Sequence, residues 1–270
     1  MRLASFLISV AVAAAAYPAG PLGATGLYTD LHSFFSPGDS SRALVVIRQS
    51  ECDLGTSRAS LLTGDLVIHP RPRFEIQIGL QFPAVRDHEG IRYGVGDLML
   101  RASARIAGDS IGASGLFARA DARIPTGFEA LRPFSDASFE GEGGLEACFA
   151  ARVFAVRAVG LYTLAAANRL AAEFSNGGHF TLAASIGAGL RALGSIGISA
   201  FFVRFDSGEE RNMYALSLGR ELSPQLLFEL AGALETGSAG SRVFDSCVSA
   251  SFAYRFPPRP LAPRPDSTEP

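Results

Sequence analysis

Beyond Arg42 the chain alternates apolar and polar residues with a period of two, in segments of about ten residues set off by turn-forming residues. In "GDLMLRASARI", Gly96 to Ile106, one alternate set is Leu98, Leu100, Ala102, Ala104 and Ile106; the other is Asp97, Met99, Arg101, Ser103 and Arg105. "FEIQIGLQF" sets Phe74, Ile76, Ile78, Leu80 and Phe82 against Glu75, Gln77 and Gln81, and "HFTLAASIGAGLR" opposes Phe180, Leu182 and Ile186 to His179, Thr181 and Ser185. The last segment sets Phe244, Val248, Ala250, Phe252, Tyr254 and Phe256 against Asp245, Ser249, Ser251 and Arg255. The pattern predicts strands at 43–52, 58–68, 73–82, 95–106, 111–124, 138–150, 153–163, 179–192, 195–205, 212–222, 225–234 and 243–256. Twelve strands are expected, and ten or fourteen are compatible with the same pattern. A soluble sandwich would turn the apolar face inward, whereas a membrane barrel would turn it to lipid and the charged face to a lumen. Period alone does not choose.

The connections do. Those after odd-numbered segments are mostly long and polar, at 83–94, 125–137, 164–178, 206–211 and 235–242; those after even-numbered ones are short, at 69–72, 107–110, 193–194 and 223–224. Two places fit less well: the first odd connection, 53–57, is short, and the turn near Ala151 and Arg152 has neither Gly nor Pro. Alternating turn lengths are what an outer-membrane barrel shows, with short periplasmic turns and longer outer loops. Residues 1–16 read as a signal peptide cleaved near Ala16, too short to span as a helix. Residues 17–42 form a segment that either enters the lumen as a plug or stays in the periplasm. No later run is long and apolar enough to span as a helix, so a membrane form must be a closed barrel, here 43–256. The terminal "FAYRF" places Phe252, Tyr254 and Phe256 on the lipid side, the aromatic ending that the barrel-insertion machinery reads. Residues 257–270 are a Pro-rich extended tail. The expected fold class is an all-β, closed antiparallel transmembrane barrel in the bacterial outer membrane, with its lipid as partner.

Composition narrows the function. A net charge of −2 and a pI near 6.1 exclude the polyelectrolyte signature of nucleic-acid binding. Every basic residue is Arg, so any buried cation is a planar, permanently charged, bidentate donor. Charged residues opposite the apolar faces fall on three consecutive strands: Asp97, Arg101 and Arg105, then Arg119, Asp121 and Arg123, then Glu140, Glu142 and Glu146. Adjacent antiparallel strands bring such residues within reach, so they are expected to line the pore as an Arg wall beside a Glu wall. The competing reading is the solvated face of a soluble sheet, which the turn alternation and leader oppose.

The order and spacing of "YTDLHSFF" at 28–35, "FEIQIGLQFP" at 74–83, "VGDLMLRASARI" at 95–106 and "ARADARIPTG" at 118–127 resemble the outer-membrane transporter family labelled "MetA pathway of phenol degradation". The resemblance covers roughly residues 28 to 127, and its landmarks set turns and strand starts. It implies an outer-membrane barrel that passes small hydrophobic or aromatic compounds.

Other chemistry is weaker. "EFSNGGHF" holds Ser175, Asn176 and His179 and only partly resembles the stretch of outer-membrane phospholipases; a Ser-Asn-Gly-Gly turn is the simpler reading. His32, His69 and His88 are scattered over predicted loops, and Asp87, His88 and Glu89 read as solvated rather than metal-binding. Cys52 and Cys247 meet at the lumen face if the first and last strands pair, either as a disulfide or as two thiols, with thiols favoured; Cys148 is left unpaired. The function expected is passive passage of a small-molecule solute, aromatic or weakly acidic, needing no cofactor. The alternatives are a lipid-acting outer-membrane hydrolase and a non-transporting structural or surface barrel.

Overall fold

The computed structural model describes residues 14–16, 27–29, 43–71, 74–108, 114–127, 131, 138–150, 154–168, 179–189, 194–206, 208, 210–237 and 244–256. Two short strands, β1 (Ala14–Ala16) and β2 (Leu27–Thr29), pair antiparallel. The rest of residues 1–16, most of 17–42 and residues 257–270 lie outside the described residues.

Twelve long strands form one ring: β3 (Ala43–Asp53), β4 (Arg58–Arg71), β5 (Phe74–Asp87), β7 (Leu98–Gly108), β8 (Gly115–Ile124), β9 (Ser138–Ala150), β10 (Phe154–Asn168), β11 (His179–Gly189), β12 (Ser195–Phe205), β13 (Glu210–Ser223), β14 (Leu226–Gly237) and β15 (Ser246–Arg255). A four-residue strand, β6 (Gly90–Tyr93), folds back on the end of β5. Each wall strand pairs antiparallel with the next, and β15 closes on β3 from Ser246↔Asp53 to Arg255↔Leu44. No wall strand is left with an unpaired edge, as a sheet in hydrocarbon requires. An eleven-residue strand such as β3 rises about 36 Å, and a tilt near 40° reduces that to about 28 Å of barrel height. That is enough to carry an apolar band of about 25 Å.

The faces sort as the alternation predicts. Ile78, Phe82, Leu182, Ile186, Ile198, Leu216, Leu230, Val248 and Phe252 stand exposed on the outside, where lipid takes the place of water. Inward, Arg48, Gln81, Ser199, Ser217 and Glu229 are each 1 % exposed. The inner face is therefore packed, not bathed by a wide water column. Near the periplasmic rim, Leu44, Val46, Val67, Leu227 and Ala253 make an inward apolar cluster.

Three expectations are corrected. The stretch 83–94, read as a loop, is largely a hairpin. β5 runs on to Asp87 and returns as β6, with Ala84↔Tyr93 and Asp87↔Gly90 in register. β4 and β10 likewise overrun their predicted ends, to Arg71 and Asn168. Phe244, assigned to the lipid face, is buried inside, and Asp245, assigned inward, is exposed. The phase slips because β15 starts only at Ser246. Ahead of it the Asp245 N–H donates to Asp53 O at 2.7 Å and the Phe244 N–H to Glu235 Oε2 at 3.2 Å.

The closing seam answers the cysteine question. Register sets Cys52 directly opposite Cys247, and the two form a disulfide across 195 residues. Cys148 is a free thiol whose S–H points to Glu146 Oε1 at 3.3 Å.

Reduction of the unfolded chain should slow its migration on a denaturing gel, because the bridge otherwise holds a loop of 195 residues closed. Replacing both cysteines by serine should lower unfolding stability by up to about 5 kcal/mol on the chain-entropy account. A charge on the lipid face should cost more than one inside: Leu216→Arg should lower the free energy of folding into vesicles by about 2–4 kcal/mol.

Candidate functional site

The chemistry of the molecule is concentrated on the inner face of β7 to β11. Register stacks the charged residues in rows. Arg101, Asp121 and Glu142 lie side by side across β7, β8 and β9, and one row towards the outer rim Met99, Arg123 and Glu140 do the same. Towards the periplasm Arg119 stands opposite Gly144, where a side chain has no room: a Cβ at Gly144 would come within 1.9 Å of Gly160 O. Past that bare stretch Arg119 reaches Glu146, further along β9.

The contacts follow. Asp121 takes Arg101 Nε at 3.3 Å and Arg119 Nε at 2.9 Å. Glu146 Oε2 takes Arg119 Nη1 at 3.2 Å and Arg157 Nη2, from β10, at 2.7 Å. Arg123 Nη2 lies 3.3 Å from Glu140 Oε2, and its Nε lies 3.9 Å from Asp97 Oδ2. His179, at the start of β11, sets Nδ1 3.3 Å from Glu140 Oε1 and its Nε2 on Glu142 Oε1. All of these residues are buried. A buried charge is tolerable only when paired and hydrogen-bonded, and a guanidinium, with five donors in a fixed fork, can serve two carboxylates at once. Arg105 is the looser member: it is half-buried, with its guanidinium 5.2 Å from the Phe117 ring.

Asp97 also holds the wall's outer rim. It precedes β7 and accepts the Gly127 N–H at 3.3 Å, while the Thr126 hydroxyl donates to Gly96 O at 2.8 Å. The "GD" and "PTG" landmarks of the sequence are thus bonded to each other.

Facing this charged arc is an apolar one. Phe201 of β12, Met213 and Ala215 of β13, Ala233 of β14 and Phe244 form a buried cluster that Met99 joins from β7, backed by the Cys52–Cys247 bridge. These residues lie towards the outer ends of their strands, so the outer part of the lumen is charged on one side and apolar on the other. A second ion pair, Arg211 Nε to Glu235 Oε1 at 2.5 Å, flanks the apolar side.

The structure places all nine sequence-predicted residues, Asp97, Arg101, Arg105, Arg119, Asp121, Arg123, Glu140, Glu142 and Glu146, on the inner side and joins eight of them in two adjoining groups, Asp97, Arg123, Glu140 and Glu142 through His179, and Arg101, Asp121, Arg119 and Glu146. The sequence reading missed Arg157 and the role of His179. Arg157 is the one charge in "FAVRAVGLY", and its alternation with the apolar residues marked it as inward. His179 falls on the polar face of its segment, as the alternation has it, and the structure adds that it meets Glu140 and Glu142. Ser175 and His32 lie outside the described residues. His88 and Glu89 are exposed at the β5–β6 tip, where Asp87 instead holds Arg92 and the Glu89 N–H.

No protein-family model matches the chain, and no curated protein matches it. Solved structures do. An outer membrane channel from Pseudomonas putida F1 is 11% identical, aligns over 80% of this chain and 96% of its own, and gives a TM-score of 0.61. The NanC porin is 6% identical over 78% and 100% of the two chains, with a TM-score of 0.54. The KdgM porin, solved in complex with disordered oligogalacturonate, is 9% identical over 79% and 99%, with a TM-score of 0.51. The fold is that of bacterial outer-membrane channels and porins, a closed twelve-stranded antiparallel barrel suited to the outer membrane.

Glu146, like Asp121, bridges the arginines of two strands. Glu146→Gln should destabilise the folded barrel by about 3–5 kcal/mol, because two buried guanidinium groups lose their shared carboxylate. Urea titration in detergent, read by loss of the heat-modifiable gel band, checks this.

Proposed function

We propose that the barrel is a passive outer-membrane channel for small amphiphilic solutes, an aromatic or other apolar body bearing a weakly acidic group, as the family resembled by residues 28–127 would have it. The observation that carries this reading is the two-sided lumen: Phe201, Met213 and Phe244 on one side, and Arg101, Arg119 and Arg123 with their carboxylates on the other. An apolar solute body gains by contact with the first. Its carboxylate exchanges for Asp121 or Glu140 on the guanidinium groups of the second, at little net electrostatic cost because one charge-assisted bond replaces another. Passage needs no covalent step, and the chain supplies side-chain rearrangement only. The packed inner face implies a low conductance.

Conductance of the folded, leader-free protein in a planar lipid bilayer tests the proposal. Small ohmic steps are expected, reduced by benzoate more than by acetate. Arg119→Gln with Arg123→Gln should shift the reversal potential towards cation preference. An unchanged reversal potential would remove the arginines from the path. Inserted protein that neither conducts nor admits benzoate into vesicles would make this a structural or surface barrel instead.

A further inference from the structure

The inner wall contains a side-chain group whose make-up goes beyond what a channel needs. Glu140, Glu142 and His179 are buried together, and among the described residues they bring one imidazole nitrogen and two carboxylate oxygens within 4.8 Å of one another. They come from β9 and from the start of β11, so His179 reaches over β10 to meet the two glutamates. Glu142 is 5 % exposed, and its Oε2 has no hydrogen-bond partner, although Oε1 is engaged by His179. An unmatched carboxylate oxygen in a buried site carries a desolvation cost that a neutral wall would not.

From this geometry we infer a divalent transition-metal site at Glu140, Glu142 and His179, with Zn²⁺ or a similar borderline ion as its ligand. Two carboxylates and one imidazole are a donor set suited to such an ion. Donor atoms on one metal sit about 3.4 Å apart in a tetrahedral site, from bonds of about 2.1 Å; because Glu140 faces Nδ1 and Glu142 engages Nε2 of His179, the group closes on an ion when one carboxylate swings round the imidazole to the nitrogen that ligates. Arg123 does not block it: the guanidinium holds Glu140 by Oε2 and leaves Oε1 turned to His179. That is the work of an orienting neighbour, and Asp97 holds Arg123 in turn.

The site sits towards the outer rim, at the start of β11 and beside Asp97, so ions from outside the cell would be its source. This inference does not depend on solute passage.

The test uses untagged protein folded in detergent, titrated with Co²⁺ as a spectroscopic probe and then with Zn²⁺ as competitor. One Co²⁺ per barrel with visible d–d absorption, displaced by Zn²⁺, is expected. His179→Gln and the isosteric Glu142→Gln should each weaken binding at least tenfold, while His88→Gln, at the exposed hairpin tip, should leave it unchanged. Folding of each variant is checked by the heat-modifiable gel band, and Glu142→Gln decides alone if His179→Gln does not fold. Absence of binding at millimolar Co²⁺ would overturn the site, as would binding that survives both substitutions.

Discussion

Every feature of this molecule answers to one constraint: in hydrocarbon a backbone N–H or C=O has no water to bond, so the sheet must close on itself. The closing register, Ser246↔Asp53 to Arg255↔Leu44, satisfies the last open edge. Once closed, each strand has an outside and an inside, and the period-two alternation is no longer a choice between water and core but between lipid and lumen. The disulfide of Cys52 and Cys247 sits on that seam, so the covalent link is placed where the ring would otherwise be joined by hydrogen bonds alone.

Closure also sets the terms for the charges. A polar side chain turned inward in a twelve-stranded barrel is withdrawn from bulk water, and Arg48, Gln81 and Glu229, all but inaccessible, show how far. Charges held there need partners at fixed distances, and an antiparallel register supplies them: Arg101, Asp121 and Glu142 are placed opposite one another by the backbone, before any side chain moves. The exclusive use of Arg has a physical consequence in this setting. Arg119 serves Asp121 and Glu146 from one planar group, which a lysine ammonium, a point donor on a flexible stem, would do less well.

The fold was legible because its signal is repeated: twelve segments, each carrying the same alternation, together with turns that alternate in length. The inward-facing charged set was legible for the same reason, since parity alone assigns Arg119 or Glu142 to a face. What parity cannot give is register across strands two apart. His179 meets Glu140 and Glu142 over the width of β10, and nothing local in "GGHF" announces that. Phe244 failed for a related reason. The alternation was extrapolated past the start of β15, where backbone donors go to Glu235 and Asp53 instead of to a ladder and the phase is lost. The 83–94 stretch looked like a loop because its composition is polar, yet a hairpin standing clear of lipid needs no apolar face to keep its ladder.

The landmarks that suggested a family have a structural meaning that limits what they can say about function. "GD" at 96–97 and "PTG" at 125–127 are bonded to each other, Asp97 to the Gly127 N–H and Thr126 to Gly96 O. They tie the entry of β7 to the exit of β8 at the outer rim. The same Asp97 then lies beside Arg123, which fixes Glu140, which faces His179. A motif that shapes a turn thus also sets the first link of the buried charge chain. Its presence argues for a barrel with this rim, whatever passes through it, and the identity of the solute has to come from the side chains further in: the apolar arc of Phe201, Met213 and Phe244 and the guanidinium groups opposite.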